Sequence, residues 1–366
     1  MRILTITCHA AQNHGAMLQA AALIAHLRGL GHEAAAIDYR QGWHPYSWRN
    51  LFATDPRYSR IGLGWAYALA KAPLRWNERR MSRRRREAFE RFFSQHIPTT
   101  PVRYTSLEQL QANPPEADAY LAGSDQIWNT TLGNGHQPAF YLDFGKARRV
   151  SYAASFAIDP LEPGTEPFIC RQLARFDAIS VRESSAVRIL KELGYEGEQV
   201  VDPVFLHDAD YWRNLGSHAG EGERYLLLYH FDRKGEIIDL AARMARLYDL
   251  PIYSFYPCSV ADKSLFDCGP ADFVSLVANA TVVVSNSFHA TAFSMIFGKD
   301  FWVVNRADGL NVRMRDLMVR YGLQSRLATM DISDSDLLTP VDYTRLRDLL
   351  PADITCSKQW LSGQLE

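Results

Sequence analysis

The chain has 366 residues, enough for two domains of about 150 residues each, and its 47% hydrophobic and 22% charged content is that of a globular protein. With 40 Lys and Arg against 41 Asp and Glu, the net charge of −1 excludes a chain-wide field that would draw nucleic acid. The five cysteines are scattered with no CxxC pair, which excludes a zinc knuckle or a disulfide framework.

The first residues, Met1 to Thr7, turn polar too soon for the apolar core of a signal peptide. Ile3–Thr7 reads as a strand, the loop Cys8–Gly15 leads into a helix Ala16–Leu30 that stops at Gly31, and Glu33–Tyr39 completes a βαβ unit. The longest apolar stretch, Ile61–Leu74, is broken by Lys71 and is too short to span a bilayer, so the expected location is cytoplasmic. Lys71–Arg91 holds nine basic residues, including Arg83 to Arg86, against three acidic ones. With its aromatic upstream flank Tyr58–Trp76, the segment 58–91 is expected to form a basic amphipathic helix resting peripherally on the inner face of the plasma membrane. The plainer expectation is a solvated basic helix.

Further strands are expected at Ala119–Ala122, Val150–Ser155, Ile179–Val181 and Val200–Val201. The polar, Gly-rich run Gly216–Glu223 reads as a linker. A second series follows at Tyr225–Tyr229, Ile252–Phe255, Val282–Ser285 and Phe301–Val304, with helices between. The alternation points to α/β architecture: an N-terminal domain over residues 1–215, a C-terminal domain over 224–340, and a segment 341–366 that returns to the first domain.

The most informative stretch is Ser285–Ala290. It places His289 where an apolar strand ends and a packed helix, Ala290–Phe297, begins, with Ser287 as the expected N-cap. Open α/β sheets bind ligands at that edge. Polar clusters recur there: Asn13-His14-Gly15, Gly123 to Asn129, Arg182-Glu183, Asp202-Pro203 and Asn286 to His289. Each has a structural explanation as well: a turn at Asp202-Pro203, a helix-start ion pair at Arg182-Glu183, a capped turn with a buried histidine at His289. No Gly-rich dinucleotide fingerprint or Walker A loop is present. Cys8 and His9 show no nucleophile arrangement and are expected to be structural.

The runs Asn13-His-Gly-Ala-Met-Leu-Gln-Ala20, Gly123-Ser-Asp-Gln-Ile-Trp-Asn129, Ser151-Tyr-Ala-Ala-Ser-Phe156, Ser180-Val-Arg-Glu183, Asp202-Pro203 and Asn286-Ser-Phe-His289 occur in order. Together with Gly269–Phe273 and the closing stretch Asn311-Val-Arg313 to Arg326, they resemble the polysaccharide pyruvyl transferase family. Tyr more often stands where this chain has His14.

The resemblance implies two Rossmann-like domains facing across a cleft, similar to GT-B glycosyltransferases, with the first on the acceptor side and the second on the donor side. It implies transfer of the enolpyruvyl group of phosphoenolpyruvate onto a sugar, free or lipid-linked, as a ketal. No cofactor or metal is expected beyond that donor. Three negative charges suit planar cations, and Arg182 and Arg313 stand in the matching motifs. An imidazole titrates near neutral pH, so His289 is expected as general acid. Either Asp125 or Asp202 would take the hydroxyl proton. Asn13, Gly15, Gln19, Ser124, Glu183, Asn286 and Ser287 are the expected substrate-binding positions. The alternatives are a GT-B glycosyltransferase using a nucleotide sugar, or a decayed enzyme serving as a membrane-surface scaffold.

Overall fold

The computed structural model describes residues 1–40, 81–231, 235–305, 312–329 and 331–366. Two parallel sheets organise the chain. The first has the order β3-β2-β1-β4-β5, from β1 (Arg2–Ile6), β2 (Glu33–Tyr39), β3 (Thr99–Tyr104), β4 (Ala119–Ala122) and β5 (Arg148–Ser151). Its β5 edge is extended by bridges to the small pair β6 (Ser180–Val181) and β7 (Glu198–Gln199).

The second sheet has the order β10-β9-β8-β11-β12-β13. Its strands are β8 (Leu226–Tyr229), β9 (Ile252–Ser254), β10 (Lys263–Ser264), β11 (Val282–Ser285), β12 (Asp300–Val304) and β13 (Leu327–Ala328). Both central strands β8 and β11 are buried on both faces, which is why they read as continuous apolar runs. Each sheet reverses its winding once, between β1 and β4 and between β8 and β11, and such reversals open the crevices where α/β folds hold ligands.

Helix α1 (His14–Gly29) crosses from β1 to β2. It begins two residues earlier than its apolar pattern suggests, because the Asn13 side chain accepts the Ala16 N–H at 3.2 Å and fixes the N-terminus there. It is buried on nearly all sides, since it lies between the domains: Leu18, Leu23 and Leu27 share one apolar core with Phe273 and Phe293 of the second half.

A helix, α2, runs through residues 81–96. Its apolar face, Ala88, Phe89 and Phe92, is spent on the core, so in the described part that face does not point to a membrane. Arg85 is buried with it and bonds the carbonyls of Phe266 at 2.9 Å and Gln12 at 3.2 Å. Arg83, Arg84, Arg86 and Arg91 remain exposed, with Arg83 paired to Glu87 and Arg84 near Asp267. The aromatic flank Tyr58–Trp76 lies outside the described residues.

After α3 (Glu166–Leu173) comes α4 (Ser184–Glu192), then α5 (Ala209–Leu215), α6 (Glu236–Tyr248), α7 (Pro270–Asn279), α8 (Phe288–Ile296), α9 (Val312–Arg320) and α10 (Thr344–Gly363). Gly216–Glu223, expected as the domain linker, is laid on the second domain: Ser275 Oγ donates to the Ser217 carbonyl and Asn279 Nδ2 to that of Ala219. The strand expected at Val200–Val201 lies instead at Glu198–Gln199. The Val201 N–H is taken by Ser357 Oγ of α10 at 3.0 Å, and Asp202 then opens a 3-10 turn by accepting the Val204 N–H. Through Ser357, and through Arg148 to Gln364 at 3.0 Å, the C-terminal segment packs on the first domain. Among the described residues no helix is long and apolar enough to cross a membrane.

Candidate active site

His289 sits in the first turn of α8, delivered by the fully buried strand β11. Ser287 occupies the N-cap position but caps nothing with its side chain; its own N–H donates to Ser285 Oγ at 3.0 Å. The His289 imidazole reaches across the domain boundary, where its Nε2 lies 3.7 Å from Asp202 Oδ2. That is beyond hydrogen-bond length, and it is an ion pair only when the imidazole carries a proton.

Asp202 is wholly enclosed. Its Oδ2 accepts from Ser124 Oγ at 3.2 Å and from Arg182 Nη1, and its Oδ1 accepts the Val204 N–H at 3.0 Å. Burial alone would push this carboxyl up, but the Arg182 guanidinium and His289 together hold it well below the usual carboxylate range.

Arg182 lies with its guanidinium 4.3 Å from the centre of the Phe288 ring, and Arg313 approaches the same ring at 5.7 Å. Arg182 comes from the end of β6 and Arg313 from the first turn of α9, so each domain supplies one cation. Burial and then the neighbouring Arg182 charge push Arg313 down to about 10. Asp125 faces both: its Oδ1 is 3.5 Å from Arg313 Nη1 and 3.9 Å from Arg182 Nη2. The Asp125 backbone is left-handed at φ 78°, as are Ala153 at 53° and Ala157 at 57°. Such conformations are disfavoured for these residues and gather at functional sites.

Glu183 anchors the opposite side. Its Oε1 accepts from Ser155 Oγ at 2.8 Å and from the Ala157 N–H at 2.9 Å, while its Oε2 is 3.9 Å from Arg182 Nε. Burial raises this carboxyl, against the pull of Arg182.

Among the described residues, five buried polar atoms of this network have no hydrogen-bond partner: Arg182 Nε and Nη2, Arg313 Nε, Glu183 Oε2 and His289 Nε2. Buried polar groups are normally satisfied, so this concentration marks a place prepared for a polar ligand. Beside it opens a cavity of about 180 Å³, walled by Arg182, Glu183, Asp202, Phe288, Arg313 and the faces of α9 and α10. His289 and Asp125 do not line that cavity; they stand at the network's other side.

The structure thus joins His289, Asp202, Ser124, Arg182, Glu183, Asp125 and Arg313. Gly15 lies directly against the His289 ring. Asn13 caps α1, Gln19 bonds Thr7 Oγ1 and the Ala16 carbonyl, and Asn286 Oδ1 accepts the Phe231 N–H, so these three hold elements in place. Phe288, Ser155 and Ala157 were not singled out by sequence reasoning, although all three stand in or beside the quoted motifs. Among the described residues, no group of three His, Cys, Asp or Glu is placed to hold a metal.

A family model for polysaccharide pyruvyl transferases matches residues 13–308. The chain belongs to that family. No curated protein sequence matches it significantly. A Listeria monocytogenes protein assigned as a UDP-N-acetylglucosamine 2-epimerase has a similar structure at 10% identity, covering 98% of this chain and 89% of that one, with a TM-score of 0.53. UDP-GlcNAc 2-epimerase from Methanocaldococcus jannaschii matches at 10% identity over 92% and 91% of the chains, TM-score 0.46. The heptosyltransferase WaaC of E. coli matches at 16% identity over 83% and 88%, TM-score 0.36. At 10% identity the likeness to the Listeria protein speaks to fold alone, and the fold is two Rossmann-like domains, each built on a parallel sheet, facing across a cleft. The family makes this protein a transferase of the pyruvyl class.

Proposed function

We propose that this transferase moves the enolpyruvyl carbons of phosphoenolpyruvate onto two hydroxyls of a sugar in a polysaccharide or cell-envelope precursor. The observation that carries the reading is the pair of guanidiniums, one from each domain, with buried donors that have no partner among the described residues. Two close cations, only partly offset by Asp125, suit a compact trianion seated on the unpartnered donors between them and His289.

In this reading His289 protonates the methylene carbon, leaving an oxocarbenium-like centre at C2 that the first sugar hydroxyl attacks. The C2–O bond to phosphate then breaks, phosphate departs, and the second hydroxyl closes the ketal. One hydroxyl proton ends on the new methyl group and the other on phosphate, so charge and atoms balance. Asp202, held ionised by Arg182, is the electrostatic partner of the imidazole. Asp125 takes the hydroxyl proton, because its side chain is 14% exposed and faces the arginines, whereas that of Asp202 is 0% exposed and fully engaged. We place the enzyme in the cytoplasm, where its donor is made, with the exposed arginines of α2 making a peripheral contact to anionic lipid.

The test is incubation with phosphoenolpyruvate and a panel of glycan acceptors. Phosphate release matched by an acid-labile, carboxylate-bearing ketal is expected. Nucleotide release from a nucleotide sugar, with phosphoenolpyruvate inert, would overturn the reading.

A further inference from the structure

The two cations of the site belong to different domains, so their spacing depends on how α9 is held against α4. Arg182 and Glu183 immediately precede α4, and Arg313 lies in the first turn of α9. The first-turn N–H groups of α4 lack a cap of their own, since Glu183 occupies the N-cap position without bonding them and turns instead to Ser155 and Ala157. Their partner comes from the other domain. Asp316 Oδ2 accepts from Ser184 Oγ at 2.9 Å and from the Ser185 N–H at 3.1 Å. A carboxylate there meets both the orphan donors and the positive end of the helix dipole.

Asp316 stands one turn after Arg313 on the same helix, so the cap sets the register of Arg313 against Arg182. The other polar tie from Arg313 to the first domain, to Asp125 at 3.5 Å, uses the guanidinium itself. A bound anion competes for that group. The Asp316 contact does not use the Arg313 guanidinium, although Asp316 itself lines the cavity, and it persists when Arg313 turns to a ligand. At its far end α9 is held separately, by Arg320 and Tyr321 on Asp353 of α10.

We infer that Asp316 is a positioning residue: by capping α4 across the domain boundary it fixes the distance between the Arg182 and Arg313 guanidiniums, and so sets affinity for the donor anion through them. This rests on the donor assignment proposed above.

The experiment is calorimetric binding of phosphoenolpyruvate to wild type, Asp316→Asn, Asp316→Ala, Ser184→Ala and the Asp316→Ala/Ser184→Ala pair, with hydrogen exchange at Ser185. Asp316→Ala is expected to weaken binding about five- to tenfold, the usual worth of one lost cap. Asp316→Asn, which keeps an acceptor oxygen, is expected to fall between. Ser184→Ala is expected to weaken binding alone but add nothing to Asp316→Ala, because both act through one contact. Exchange at the Ser185 amide should quicken in Asp316→Ala at unchanged melting of the remaining structure. Equal affinity in wild type and Asp316→Ala, or fully additive effects in the pair, would overturn the inference alone. Absence of phosphoenolpyruvate binding in wild type would overturn the donor assignment on which it stands.

Discussion

The His289 ring and the Gly15 backbone meet across the domain boundary so closely that a β-carbon added at Gly15 would lie 2.0 Å from Nδ1 and 2.2 Å from Cγ. The first turn of α1 therefore forms the wall behind the imidazole, and only a residue without a side chain leaves room for it. Gly15 was expected among the substrate-binding positions; in the structure its backbone lies against the His289 ring.

Gly15→Ala should accordingly behave as a partial His289 deletion. The ring cannot stay in place, and turnover is expected to fall by about 10²-fold or more, within the 10²–10⁴ expected for His289→Ala itself. Both variants should remain folded, since the added methyl displaces one side chain and no strand. Turnover and thermal melting of the two proteins, measured side by side, check this. Wild-type turnover in Gly15→Ala would mean that the imidazole does not work from this position.

The legibility of this site in the sequence has a physical pattern. Strands such as Val282–Ser285 were readable because burial on both faces demands an unbroken apolar, β-branched run. The polar residues after them were readable because that edge is where parallel sheets place loops. Glu198–Gln199 was not readable as a strand: its two residues are polar, and pairing with Ser180–Val181 alone puts them there. Asp316 was equally hidden, because its meaning arises only when α9 meets Ser184 and Ser185 from over a hundred residues away. The cap at Ser287 was expected from residue type, and Ser285 took its N–H instead.

Arg182 should prove structural and functional at once, and the two roles can be separated. Arg182→Met leaves the Asp202 carboxylate buried without its main counter-charge, at a cost of about 3–5 kcal/mol. Adding Asp202→Asn removes the stranded charge, so the double variant is expected to regain most of that stability while donor binding stays lost. Arg182→Lys should not restore binding, because an ammonium can neither stack on Phe288 nor offer a planar fork. Chemical denaturation paired with phosphoenolpyruvate binding distinguishes these outcomes. Donor affinity near wild type in Arg182→Lys would reduce the residue to a simple charge.

The two buried carboxylates should pull the pH profile in opposite directions. Asp202 is held below its ordinary 3.8, so it contributes stability that is fully present above that value and lost as the pH falls further. Glu183 is raised above its ordinary 4.5, so its folded state holds a proton longer, and the penalty of ionising it builds as the pH rises through and above 4.5. Asp202→Asn should therefore flatten the acid limb below about pH 4, and Glu183→Gln the limb just above it. Melting temperatures between pH 2.5 and 7 would show unchanged limbs if neither group is perturbed by its surroundings.

His14 offers the clearest titration of the contact between the domains. It is wholly buried at the start of α1, and its ring packs on the second domain, among Phe255, Phe273 and Tyr229, with Phe89 of α2 also 4.8 Å away. The Cys268 carbonyl, 3.1 Å from Nε2, can only accept, so the proton lies on Nε2 and Nδ1 accepts from the Tyr229 hydroxyl at 3.1 Å. Both nitrogens are satisfied by the neutral ring alone. Burial first, and the nearby Arg85 charge second, hold His14 well below its ordinary 6.5, although the Cys268 carbonyl opposes them. The unfolded chain takes up a proton near pH 6.5 that the folded one refuses, so stability falls as the pH drops below that value. His9, His26 and His207 are lowered by burial too and add slopes of the same sign. His14→Gln should lower stability at every pH by breaking the polar pairing, about 1–3 kcal/mol for a buried group left unmatched. It should also remove one proton's share of the slope, about 1.4 kcal/mol per pH unit. Denaturation midpoints of wild type and His14→Gln from pH 4.5 to 7.5 give both numbers, and parallel curves for the two proteins would show that His14 is not the group that refuses the proton.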